Sequence, residues 1–257
     1  MAVSYPDAMS WLHAVLDVPD HLHAAAADFW ARALGWPVGA PWPGHPELQS
    51  FEPGAATAYL HLQRIDGPPR VHLDLESDDR DGAVGTAVAL GAKLVAEQDR
   101  WTTLRSPGGL PFCVLTAREH ASPEPVTWPG GHRARMVQVC VDSPRSGHDR
   151  EVEFWRRLLA GRWVDSGAPE FAGKWHDDAG SPLQLLFQRL DEADGPVRAH
   201  LDHGTDDLEA EVRRLVDLGA LDVGPGRGGW HVLRDPAGQL FCVTANSPEV
   251  TRTRDIG

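Results

Sequence analysis

Asp235-Pro236-Ala237-Gly238-Gln239-Leu240-Phe241-Cys242-Val243 closes a segment that opens at His200-Leu201-Asp202, and the chain has written that segment once before. The earlier version runs from His72-Leu73-Asp74 to Ser106-Pro107-Gly108-Gly109-Leu110-Pro111-Phe112-Cys113-Val114. Outward from these stretches, further groups match in the same order. Phe29-Trp30 returns as Phe154-Trp155, Gln63-Arg64 as Gln188-Arg189, Leu90-Gly91-Ala92 as Leu218-Gly219-Ala220, and Trp101 as Trp230. The offset drifts from 125 to 129 residues, which two small loop insertions explain. The chain is therefore read as one module written twice. The stretch between the copies, Glu119 to Arg133, is rich in proline and glycine with few aliphatics and reads as a linker. This places a first module at 8–118, a linker at 119–133 and a second module at 134–246, with a polar tail after Pro248.

Each copy repeats one order of elements. Trp11 to Leu16 and Met136 to Val141 are apolar and partly β-branched, as strands are. Each leads through an Asp and a Pro into a helical stretch, Leu22 to Leu34 or Arg150 to Leu159, where Phe29/Ala33 and Phe154/Leu158 have the spacing of one buried face. Strands follow at Ala58 to Ile65 and Leu183 to Leu190, then at Val71 to Leu75 and Ala199 to His203. Second helices are expected over Arg80 to Leu90 and Asp206 to Leu218, and closing strands at Phe112 to Thr116 and Phe241 to Thr244. The fold class is α+β, built from four βαβββ units that form two curved-sheet modules.

Composition narrows the function. The 257 residues are 42% hydrophobic and 24% charged, which is ordinary for globular domains. A net charge of -13, with Lys93 and Lys174 the only lysines, works against a nucleic-acid partner. No stretch is long and apolar enough for a membrane span, and the first residues lack a secretory signal. Three scattered cysteines form no disulfide framework. A cytoplasmic protein is expected.

The order of elements, with the Gly219-Ala220, Trp230 and Asp235-Pro236-x-Gly238 landmarks, resembles the vicinal oxygen chelate superfamily, in particular its glyoxalase-like and bleomycin-resistance-like proteins. The resemblance covers almost the whole chain. It implies two half-barrel cavities and an intrachain pseudo-dimer, with further homodimerisation left open. In metal-using members, ligands come from the first, middle and last strands. Those positions are His13, His72 and Cys113 in the first copy, and Gln138, His200 and Cys242 in the second. Cysteine stands in both copies where the family has glutamate, so the cofactor is either none or a divalent metal ion.

Other residues are candidates for a ligand wall. His61 and Gln63 share strand parity with Tyr59, and Gln188 matches Gln63. With His13, His61 and His72, the first copy is richer in imidazole and is the better candidate for an active half. Among ten tryptophans, Trp30 and Trp155 read as core, Trp101 and Trp230 as core or cavity wall, and Trp11, Trp42 and Trp175 as lining a mouth. The loops Gly39 to Gly54 and Gly167 to Gly180, sharing Pro46-Glu47 and Pro169-Glu170, are expected to control access. His132 and His231 have no sequence partners and read as surface residues. The Gly224 to Gly229 run links two strands and lacks a following Lys-Ser/Thr, so it is no phosphate loop.

Three functions follow. The first is binding of a small, aromatic or apolar molecule, with Trp11, His61, Gln63, Trp101, Gln138, Gln188, His200 and Trp230 as wall residues. The second is a metal-dependent lyase or dioxygenase using His13 and His72. The third is a non-catalytic interaction module with plugged half-barrels.

Overall fold

The computed structural model describes residues 9–159, 161–176 and 180–249. Residue 8 at the expected start of the first module, 177–179 of the second access loop, and the tail beyond 249 lie outside the described residues.

The first module contains β1 (Met9–Pro19), α1 (Asp20–Leu34), β2 (Leu48–Ser50), β3 (Leu60–Ile65), β4 (Arg70–Ser77), α2 (Arg80–Ala89), β5 (Lys93–Glu97), β6 (Trp101–Arg105) and β7 (Pro111–Thr116). After β8 (Val126–Thr127), the second contains β9 (Arg133–Ser143), α3 (His148–Leu158), β10 (Arg162–Asp165), β11 (Phe171–His176), β12 (Gln184–Arg189), β13 (Arg198–Thr205), α4 (Leu208–Asp217), β14 (Leu221–Pro225), β15 (Trp230–Arg234) and β16 (Leu240–Thr244). Three of the four units have the full βαβββ order. In the first unit, the strand expected directly after α1 is reduced to a single bridge, Val38 with Phe51.

Each module is one mixed sheet, ordered β2-β3-β1-β4-β7-β6-β5 and β10-β11-β12-β9-β13-β16-β15-β14. The linker is not featureless, because β8 pairs with the start of β9. The first strands sit at the centre, where β1 pairs antiparallel with β4 and β9 with β13. Both are longer than their apolar runs because neighbours on both sides satisfy their backbone groups. Along β1, Leu12, Ala14, Leu16 and Val18 enter the core while His13 and Asp17 face the other way, as the two-residue period dictates.

Pro19, with no N–H to extend the ladder, ends β1 and opens α1. Gly35 closes that helix at φ 71° and donates its N–H to the Ala31 carbonyl. The second helix of each module starts on an aspartate cap: Asp79 accepts from the Gly82 N–H and Asp207 from the Ala210 N–H, both at 3.0 Å.

The modules pack through their first helices. Phe29 and Trp30 of α1 meet Phe241 of β16, and Phe154 and Trp155 of α3 meet Phe112 of β7. Trp30 and Trp155 are core residues, as expected. Each indole N–H donates to a buried carboxylate, Trp30 to Asp235 at 2.9 Å and Trp155 to Glu151 at 2.8 Å. The two carboxylates have different origins. Asp235 lies in the turn before β16 and accepts from the Gln239 N–H. The matching turn of the first module has Ser106, whose hydroxyl accepts from the Leu110 N–H, and its carboxylate comes instead from Glu151 on the facing helix. Helix α1 has Ala26 at the position of Glu151. Arg214 of α4 donates to the Ala33 carbonyl at the end of α1 and stacks on Trp128.

Of the two histidines read as surface residues, His132 is corrected and His231 stays part-exposed. His132 is buried and bonds to Glu211 at 2.8 Å, a carboxylate that also holds His203 and Arg214. His231 pairs with Asp222 at 2.6 Å across adjacent strands. No helix among the described residues is long and apolar enough to cross a membrane.

Candidate functional site

On the inner face of each sheet, the same four residues meet: a histidine, two aspartates and a cysteine. In the first module, His72 has Nδ1 2.8 Å from Asp17 and Nε2 3.3 Å from Asp74, with Cys113 alongside. In the second, His200 has Nδ1 2.7 Å from Asp142 and Nε2 3.4 Å from Asp202, with Cys242 alongside. Burial by itself would lower both imidazoles. The Asp17 carboxylate, with Asp74 and Cys113, overrides it for His72, and Asp142, with Cys140 and Asp202, does so for His200. Both stand well above the usual range, as imidazolium ions between two carboxylates. Burial pushes the Cys113 and Cys242 thiols up. Asp17 and Asp142 were not among the expected site residues. Their signal was the recurrence of Asp at the end of the first strand, read only as a helix boundary.

Around this shared motif, the modules diverge. The inner face of the first is filled by its own side chains. His13 bonds to Glu76 at 3.0 Å and to His61 at 3.1 Å, and His120 from the linker reaches the other Glu76 oxygen at 2.6 Å. Burial, then the neighbouring His13, lowers His61 to about 3. Trp11 stacks on His120 at 4.2 Å and is 3% exposed. The 39–54 loop folds inward: Trp42 donates to Ser50 at 3.0 Å, Ser50 bonds to His61 at 2.9 Å, and His45 packs on Trp101 at 4.6 Å. The abundant imidazoles of the first copy thus occupy the space that they were expected to line.

The second module holds a cavity of about 940 Å³. Gln138, Gln188, His200 and Trp230, all expected as wall residues, line it. Of the expected first-copy residues, Trp11, His61, Gln63 and Trp101 do not. Phe171 packs edge-on against Trp230 at 5.9 Å, and Leu186 stands where the first module has His61. Much of the expected second access loop is strand β11, which adds Phe171 and Lys174 to the wall. Trp175, expected at the mouth, is buried instead. Trp230 explains the glycine run: a Cβ on Gly226 or Gly228 would come within 1.9 or 2.2 Å of its ring. Arg70 and Arg105 of the first module form part of the rim, so the site needs both halves.

The placement of possible metal ligands follows. Among the described residues, four groups of His, Asp, Glu and Cys each bring their ligand atoms within 4.8 Å of one another: His13/Glu76/His120, His72/Asp74/Cys113, Cys140/Asp142/His200 and His200/Asp202/Cys242. His13 belongs to a different group from His72 and Cys113. At the three positions that the resemblance assigns in the second module, the donors do not fit a divalent ion. The Gln138 amide donates to Asp202 and accepts from Gln184 at 2.6 Å. Both ring nitrogens of His200 already face carboxylates, Asp142 at 2.7 Å and Asp202 at 3.4 Å, and Cys242 is a thiol, raised by burial, that a metal would have to deprotonate. Asp202 Oδ1 has no hydrogen bond, but it faces the positive charge of His200.

The geometry agrees with comparison to other proteins. The sequence profile of the glyoxalase-like domain matches residues 13–115 and again 138–244. No curated protein matches the chain in sequence. Among solved structures, the Mn(II)-bound glyoxalase from Novosphingobium aromaticivorans superposes with a TM-score of 0.68 at 18% identity, over 94% of this chain and 84% of that one. An extradiol ring-cleaving dioxygenase from B. fuscum gives 0.61 at 16% identity, over 96% and 75%. A mutant of 4-hydroxymandelate synthase from Streptomyces coelicolor gives 0.59 at 16% identity, over 92% of each chain. At these identities, the likeness is one of fold. The two profile matches span most of the sequence, and the chain belongs to the glyoxalase-like domain family, with two copies in tandem.

Proposed function

We propose that the protein binds a small molecule with an apolar, ring-bearing body in the half-barrel of the second module, without a metal at the family's ligand positions. The cavity of about 940 Å³ carries this reading. Its size suits a drug-sized ligand, and its wall combines Trp230, Phe171 and Leu186 with a polar row of Gln138, Gln188 and His200. The filled first module acts as scaffold and rim. Binding of this kind is sequestration, the role that a bleomycin-resistance-like protein would have. Three buried free cysteines suit a reducing compartment, the cytoplasm.

Binding of aromatic ligands, read as a rise in melting temperature, tests the reading. Trp230→Ala should weaken binding about tenfold or more, since a large apolar contact is lost. Trp101→Ala in the filled module should leave it unchanged. Equal losses from the two would sink the assignment to the second module.

The His200/Asp202/Cys242 group supports a second reading, a metal-dependent lyase or dioxygenase. Elemental analysis of tag-free protein separates the two. The expected result is no stoichiometric metal, even after reconstitution. One equivalent of manganese, iron, nickel or zinc, lost in His200→Ala, would overturn the metal-free reading. The same loss in His13→Ala or His72→Ala would place the ion in the first module.

A further inference from the structure

We infer that the cavity of the second module selects an organic anion, with its charged head seated on the ammonium of Lys174 and its rings against Trp230 and Phe171. This deepens the proposed function and rests on it.

Lys174 is one of two lysines in a chain of net charge -13. It stands on β11 opposite Leu186, at the register position where the first module has Ser50 opposite His61. There the serine and histidine satisfy each other at 2.9 Å. Leucine offers Lys174 no acceptor. Lys174 lines the cavity and also a smaller one beside it, and no hydrogen bond or ion pair ties its ammonium to any described residue. Burial pulls its pKa down, while the more distant Asp202 and Cys140 favour the charged form. Lys174 is half-buried, so water reaches its donors only in part, and an incoming anion would complete their bonding.

The surrounding charges point the same way. Asp142 and Asp202 flank the His200 imidazolium, and Asp202 also accepts from Gln138. Arg70 faces Asp17 at 2.7 Å, and Arg198 faces Glu192 at 2.8 Å. Among the described residues, Arg105 and Arg234 donate only to carbonyls, those of Gly109 at 3.1 Å and Gly238 at 2.8 Å, with no carboxylate against them. Inside an acidic protein, Lys174, Arg105 and Arg234 outweigh the one carboxylate that His200 leaves uncompensated, and this positive excess focuses a field on whatever enters. The apolar wall sets the rest of the ligand.

Two fluorescent probes test this. Anilinonaphthalene sulfonate and N-phenylnaphthylamine share their rings and differ in the sulfonate. The sulfonate probe should bind the intact protein about 10- to 100-fold more tightly, the usual worth of a charge-assisted contact. Lys174→Met should abolish that difference by weakening the sulfonate probe alone, and Lys174→Arg should keep most of it. The melting temperature of Lys174→Met should not fall, because no native contact of the ammonium is lost. Equal binding of both probes by the intact protein, or equal weakening of both in Lys174→Met, would overturn the anion assignment and leave the cavity as a neutral binding site. Failure of both probes to bind would overturn the cavity reading, and this inference with it.

Discussion

Glu151→Ala is expected to lower the unfolding free energy by about 2–4 kcal/mol. The carboxylate is wholly buried and accepts from the Gly108 N–H and the Trp155 indole, both at 2.8 Å. Truncation would leave the buried Trp155 indole and the half-buried Gly108 N–H without partners, where each lost acceptor costs about 1–3 kcal/mol. The other half of the chain supplies a rescue. It uses alanine on the helix and aspartate in the turn, Ala26 with Asp235, where this half uses Glu151 with Ser106. Adding Ser106→Asp to Glu151→Ala transplants that arrangement and should restore most of the loss. Urea unfolding of the two variants measures it. A double variant no more stable than the single would show that the carboxylate's position matters beyond its hydrogen bonds.

The second large effect is the pH dependence of stability. Burial opposes the charge of Glu76, but hydrogen bonds from His13 and His120 prevail and lower its pKa from 4.5 to about 2. A group depressed on folding stabilises above its unfolded value, and that stability is lost as pH falls through the folded one. Glu76 therefore contributes up to about 3 kcal/mol near neutrality, lost between about pH 4.5 and 2. His72 and His200 have the opposite sign. Their pKa values are raised on folding, so their contribution is complete below about pH 6.5 and declines as pH rises through the folded values. Chemical unfolding across the pH range should show a decline on each side. Glu76→Gln should flatten the acid limb and His200→Gln part of the alkaline limb. An acid limb unchanged in Glu76→Gln would remove Glu76 as its source.

The fold was legible because the repeat doubles every signal. The Phe-Trp pairs, the Gly-Ala after each second helix and the Phe-Cys-Val closings mark equivalent places, and two-residue alternation orients the strands between them. The site was half legible. Gln138 and His200 were reachable as the positions that the resemblance assigns, and Gln188 and Trp230 as the repeats of Gln63 and Trp101, and all four line the cavity. Parity gives the face on which a side chain lies, not whether that face is filled. The filling of the first module depends on Trp42, His45 and His120, which come from a loop and a linker outside the repeat's matched groups. Lys174 escaped notice because it falls in a stretch read as loop.

The exchange of a carboxylate between turn and helix makes the two halves unlike in a way that each can detect. If a first half docked on another first half, Trp30 would meet Ser106 with Ala26 beside it, and the indole would find no acceptor. If a second half docked on another second half, Glu151 would be buried against Asp235, and two carboxylates would repel. Only unlike halves place one carboxylate at each indole, as the structure does. A duplicated gene product begins with two interchangeable halves. Here the exchange acts as a key that lets each half recognise the other, so like halves of two chains folding side by side are kept from pairing.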